Sequence, residues 1–103
     1  MKTVKMPTSD SWQDALIKSL HNPEESAGYI QAILEVENPE PELLRAALQD
    51  VVDARIQSNN FSAEAQYSWE KLEQLLSESG GAEIYALVAF LEAIAYKLEV
   101  TIK

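Results

Sequence analysis

Carboxylates dominate the side chains of this 103-residue chain that could do chemistry. Asp50 and Asp53 stand one helical turn apart, as do Glu70 and Glu73. At that spacing two carboxylates share a helix face. Such a pair works as general acid and base when burial or mutual repulsion raises one pKa. Both pairs flank apolar stripes, and the expectation is a solvated face rather than a dyad. His21 is the one histidine and cysteine is absent, which excludes disulfides, zinc–thiolate sites and thiol nucleophiles. A single imidazole with no carboxylates arranged around it makes no zinc site. His21 reads as a helix-end residue, where a cation is mildly favoured. Gly80-Gly81 precedes a helix, a position that suits anions, yet it reads as a plain helix break. Trp12 and Trp69 read as core or interface residues before ligand platforms. No G-x-S-x-G, H-E-x-x-H, EF-hand or phosphate-cradling glycine motif occurs. The expectation is a protein without catalytic residues, cofactor or metal.

The elements that must position these groups read as helices. Three glycines and four prolines are too few for a sandwich or barrel. Residues 1–9 are expected as a flexible arm and 10–103 as one domain. Asp10 or Ser11 caps a first helix carrying Trp12, Leu16 and Leu20. Asn22 is a good N-cap, Pro23 fits the first helical position, and Glu24 and Glu25 suit the positive end of the dipole. That second helix runs to about Val36, with Tyr29, Ile30, Ile33 and Leu34 on its apolar face. After the break at Glu37–Pro41, a third helix carries Leu43, Leu44, Ala47, Leu48, Val51 and Val52 and ends near Arg55–Gln57.

From Ser62 to about Ser77, Ala65, Trp69, Leu72 and Leu76 recur at one helical face. Past Gly80-Gly81, the stripe Ile84, Leu87, Val88, Leu91, Ile94, Ala95, Leu98 predicts a helix apolar nearly all round, buried by its own core or by a second subunit. The period then changes. Leu98, Val100 and Ile102 alternate with charged and polar neighbours, predicting a strand over about 97–102, with a frayed or helical tail as the alternative. A lone strand leaves backbone groups unpaired, and the same strand of a second copy is the simplest partner. Tyr85, Phe90, Leu98, Val100 and Ile102 are the candidate homodimer interface.

Seventeen acids against eight bases leave a formal charge of −9. The excess is spread evenly: ten acids and five bases in residues 1–60, seven and three in 61–103. Such a surface repels phosphate backbones and anionic lipid and attracts basic partners. Lys2 and Lys5 are followed by no apolar run, so a signal peptide is not expected. No stretch approaches the ~20 apolar residues of a membrane span. A soluble, cytoplasmic protein is expected.

Specific residues add a resemblance. Leu20-His21-Asn22-Pro23-Glu24, then Tyr29-Ile30-Gln31-Ala32-Ile33-Leu34-Glu35, then the helix Pro41 to Arg55 look like the opening half of the bacterial addiction-module antidotes. Leu72-Glu73-Gln74-Leu75-Leu76-Ser77 with Gly80, and Leu91-Glu92-Ala93-Ile94-Ala95-Tyr96-Lys97-Leu98-Glu99-Val100, resemble the closing half. The likeness covers about residues 15–100. It implies a five-helix λ-repressor-like helix-turn-helix domain, here with a short C-terminal β-strand. It also implies an antitoxin: a dimer that neutralises a small basic, ribonuclease-type toxin and represses its own operator.

The helix-turn-helix region would lie at about 60–77, where the chain departs from the family pattern. The family's small alanine falls at Ser62, its turn glycine at Gln66, the arginine opening the recognition helix at Trp69, and its tyrosine at Glu73. Without that glycine, which tolerates a left-handed backbone, residues 62–77 could run as one helix. Ser68, Lys71 and Gln74 are the candidate DNA-facing residues, opposed by Glu70 and Glu73. One bidentate base contact is worth ~1–3 kcal/mol of discrimination, and carboxylates near phosphates add repulsion. The expectation is therefore a kept fold, a basic protein partner, and DNA reading weakened or lost. The alternative is a diverged helical homodimerisation module that no longer binds DNA.

Overall fold

The computed structural model describes residues 9–103, with side chains from Ser11 onward. The arm expected over 1–9 lies outside these residues except for Ser9, which opens the first helix. Five helices follow: α1 Ser9–Ser19, α2 Pro23–Leu34, α3 Leu43–Gln57, α4 Ala63–Ser79 and α5 Ala82–Ala93. The chain is all-helical over the described residues.

The caps explain why the helices begin and end where they do. Asn22 accepts from the backbone N–H groups of Glu24 (2.8 Å) and Glu25 (3.3 Å), with Pro23 at the first position of α2. Those contacts satisfy donors that a helix start leaves unpaired. Ser62 likewise caps α4 through Ala65 N–H at 3.0 Å. At the other ends the backbone turns left-handed, at Asn59 after α3, Gly80 after α4 and Ala95 after α5. After α5, Tyr96 N–H reaches Leu91 C=O at 2.7 Å and Ala95 N–H reaches Glu92 C=O at 3.0 Å, the paired bonds of a Schellman stop.

Helix α3 is the central element, with α1, α2 and α4 packed on it. Ile17, Leu20 and Ala54 form one buried cluster with Leu16, Tyr29 and Val51 against it. Leu34, Leu44 and Leu76 form the other, joined by Ile30, Ile33, Trp69, Leu72, Ile84 and Tyr85. The turn Gly80-Gly81 fits tightly against this second cluster. A Cβ at Gly81 would stand 3.0 Å from the Leu44 side chain, and one at Gly80 3.1 Å from Pro41.

Several expectations of the fold differ from what is observed. Residues 60–77 contain no helix–turn–helix: after the connector 60–62, one uninterrupted helix runs through them. Gln66 stands where the turn would fall and continues the helix, its N–H bonding Ser62 C=O at 2.9 Å. Of the two readings of Trp12, core or interface, the core one does not hold: it is 70% exposed, and Ile17 and Leu20 are the residues of α1 and its end that are buried. The final helix stops at Ala93, so Ala95 and Leu98 do not continue its stripe.

The last correction concerns the tail. It is not a strand in a single chain, because its hydrogen-bonding neighbour is a side chain. Gln31 Nε2 donates to Leu98 C=O at 2.9 Å and Gln31 Oε1 accepts from Val100 N–H at 2.6 Å. The expected alternation nonetheless holds in part. Leu98 and Val100 pack on the second cluster, while Lys97, Glu99 and Thr101 are exposed.

Candidate interaction surfaces

The expected nucleic-acid face lies on α4. Ser68, Lys71 and Gln74 are all exposed on α4, and their three-residue spacing keeps them on neighbouring parts of one face. Lys71 lies with Nζ 5.1 Å from the centre of the Tyr67 ring, a cation–π contact. Glu70 accepts from Gln66 at 3.2 Å. Arg45 of α3 joins Glu42 at 3.0 Å and Glu73 at 3.6 Å. Across α4, Glu64, Glu70, Glu73 and Glu78 face one base, Lys71. This surface is anionic where a groove-reading helix must be cationic.

The candidate dimer residues divide. Tyr85 donates to Ile33 C=O at 2.9 Å, and burial pushes its phenol above the ordinary value. Leu98 and Val100 pack on the same chain's second cluster. These three already have internal partners. Phe90, 60% exposed, and Ile102 remain open. Sequence reasoning did not separate the stripe on which Phe90 lies: Leu87 (48% exposed), Phe90, Leu91 and Ile94 (47%) recur at i, i+3, i+4, i+7. Of α5, only Val88 is buried. The signal was present, because the helix is apolar nearly all round and one domain core cannot cover every side.

A groove of about 310 Å³ lies on the other flank of α5, against the α2–α3 connection. Leu34, Val36, Pro39, Tyr85, Val88 and Ala89 form its apolar walls, and Glu35, Glu37 and Glu92 its polar ones. Glu35 is engaged by Gln31 at 2.8 Å and by Lys97 at 3.6 Å. Glu37 and Glu92 are exposed and make no side-chain hydrogen bond or ion pair with the described residues. Two free carboxylates, Glu37 on the connection and Glu92 on α5, thus flank an apolar trough.

Of the carboxylate pairs, Asp50 departs from the expected solvated face. It is buried at 9% exposure. It accepts from the Tyr29 hydroxyl at 3.0 Å and from the Gln13 amide, which ties α1 and α2 to α3. Burial first, then the Asp50 hydrogen bond and charge, push the Tyr29 phenol up to about 12. Asp53 instead accepts from Gln49 at 2.9 Å. The two carboxylates therefore have separate donors, Tyr29 and Gln13 for Asp50 and Gln49 for Asp53, and do not form a dyad. His21 shares a 3.0 Å hydrogen bond with Gln57, and the described residues contain no cluster of metal-ligating side chains. None of the described helices is long and apolar enough to cross a membrane.

Compared with protein-family models, curated proteins and solved structures, the chain matches none.

Proposed function

We propose that this protein is a non-catalytic binding module of the antidote kind. It takes a basic protein partner in the acid-walled groove between α5 and the α2–α3 connection, and it has given up operator reading. The observation that carries this reading is the groove itself: an apolar trough whose free charges, Glu37 and Glu92, are both negative. A cation held 4 Å from a carboxylate gains roughly 1 kcal/mol in water and about 4 kcal/mol at a protein surface of lower effective dielectric. An apolar contact beside it supplies burial at about 25 cal/mol per Å². A partner with lysine or arginine flanking aliphatic side chains uses both. The uninterrupted, anionic α4 supports the loss of DNA reading, and the residue-level resemblance supports the antidote class.

The test is capture from the native cell, with the partner identified by mass. The wild-type chain is expected to retain a small protein of high isoelectric point, and the double change Glu37→Lys/Glu92→Lys to lose it. Retention by both forms, or capture of acidic proteins only, would refute the groove. A second reading, a helical homodimerisation module, is favoured by the open stripe of Leu87 and Phe90 on α5 and Ile94 at its C-cap. It requires self-association that disappears with Phe90→Glu.

A further inference from the structure

The tail past α5 has one backbone edge in use and one idle. Gln31 bonds Leu98 C=O and Val100 N–H with a single carboxamide, the pair of groups that one residue of a neighbouring parallel strand would bond. Alternate residues of such a segment point their N–H and C=O to opposite sides. The backbone groups of Lys97, Glu99 and Thr101 therefore face away from α2. They make no hydrogen bond to the described residues, and all three residues are exposed.

We propose that this idle edge pairs with the same edge of a second copy, as a short antiparallel contact of residues 97–99 centred on Leu98, bounded on one side by the left-handed stop at Ala95. Charge selects the occupant and the register. Centred on Leu98, Lys97 stands opposite the partner subunit's Glu99, and Glu99 opposite the partner subunit's Lys97. Each such pair exchanges both backbone hydrogen bonds, and opposite charges directly across a ribbon stabilise it. Centring on Glu99 would oppose two carboxylates, and centring on Val100 would oppose Lys97 and Lys103; like charges in that position repel. A chain of charge −9 resists meeting itself over most of its surface. This short edge carries one base and one acid at matched positions; Lys97, 64% exposed, also reaches Glu35 of its own chain at 3.6 Å, so its ammonium is shared between that carboxylate and the partner subunit's Glu99. The carboxamide of Gln31 makes the edge ready, because it holds the segment in place before any partner arrives. The pairing is independent of whether the groove takes a basic protein.

Sedimentation of the purified full chain, without any partner, tests this. Wild type is expected to shift from monomer to dimer as concentration rises through the micromolar range. Lys97→Glu and Glu99→Lys should each weaken dimerisation at least tenfold, and the exchange Lys97→Glu/Glu99→Lys should restore it. Circular dichroism establishes that each variant keeps its helices. Amide exchange on wild type supplies a second readout: the N–H groups of Lys97 and Glu99 should gain protection with concentration, while that of Val100, already bonded to Gln31, changes little. A monomer at 100-fold above that range overturns the proposal. So does a dimer indifferent to all three substitutions, which would place the contact elsewhere, or a double exchange that fails to rescue.

Discussion

Individual residues carry the most specific consequences of the structure. Ala95 occupies the left-handed region at φ 69°, where a non-glycine residue costs roughly 1–2 kcal/mol. Ala95→Gly should raise stability by about 0.5–1 kcal/mol, since glycine relieves that strain but adds freedom to the unfolded chain; urea unfolding measures it. Asp50 holds the opposite kind of position. Replacing it by Ala leaves the Tyr29 hydroxyl and the Gln13 amide short of an acceptor in a part-buried site. A loss of about 1–3 kcal/mol is expected, the usual cost of an orphaned buried donor.

Tyr29 adds a pH signature. Its phenol is raised in the fold to about 12 from an unfolded value near 10. The folded state thus favours the protonated form. Stability from this group is fully present below about pH 10 and is lost as pH climbs toward 12. Tyr29→Phe should lower stability at neutral pH, through the Asp50 acceptor it abandons, yet flatten the fall between pH 10 and 12. Some slope should persist from Tyr85, whose phenol burial also raises. Urea midpoints against pH provide the comparison. None of this was legible in the sequence. Asp50 and Asp53 look alike there, and only the docking of α1 and α2 distinguishes a clamped carboxylate from an exposed one.

At the scale of elements, helix count and most boundaries were legible because their causes are local. Asn22-Pro23, Ser62 and Gly80-Gly81 cap or break helices through their own hydrogen bonds and backbone freedom, whatever the tertiary surroundings. The break between α4 and α5 should be unforgiving. Gly81→Ala adds a methyl against Leu44 at a positive φ, and a cost of about 2–4 kcal/mol is expected from strain and overpacking together. Calorimetry of the variant against wild type reads it. What misled lay in features whose outcome depends on a partner. The period-two pattern of the tail correctly marks Leu98 and Val100 as facing the core. It could not reveal that the neighbour is the Gln31 side chain, because a glutamine on a helix surface carries no sign of that use. The end of α5 was placed too late for a related reason. Ile94, Ala95 and Leu98 continue an apolar spacing, and the stop at Ala95 rests on a left-handed alanine that residue type disfavours.

For the whole molecule, charge and apolar surface point the same way. A net charge of −9 works against compaction and against phosphate, and both effects are screened by salt. Raising ionic strength from about 0.01 M to about 1 M shortens the screening length from ~30 to ~3 Å, and the melting temperature should rise with it. The groove was not visible in the sequence, since its walls come from α2, α5 and the α2–α3 connection; only the acidic run from Glu35 to Glu42 hinted at it. The uninterrupted α4, by contrast, was foreshadowed by Gln66 at the turn position, and its anionic face by the carboxylates of its sequence. The most direct measurement of the central claim, a protein-binding rather than DNA-reading surface, is a mobility-shift titration at low salt against duplexes tiling the chain's own promoter. Specific DNA-binding proteins act at about 10⁻⁸–10⁻¹¹ M. The expected result is no saturable, sequence-dependent shift at micromolar protein; a discrete complex with one duplex at nanomolar protein would contradict it.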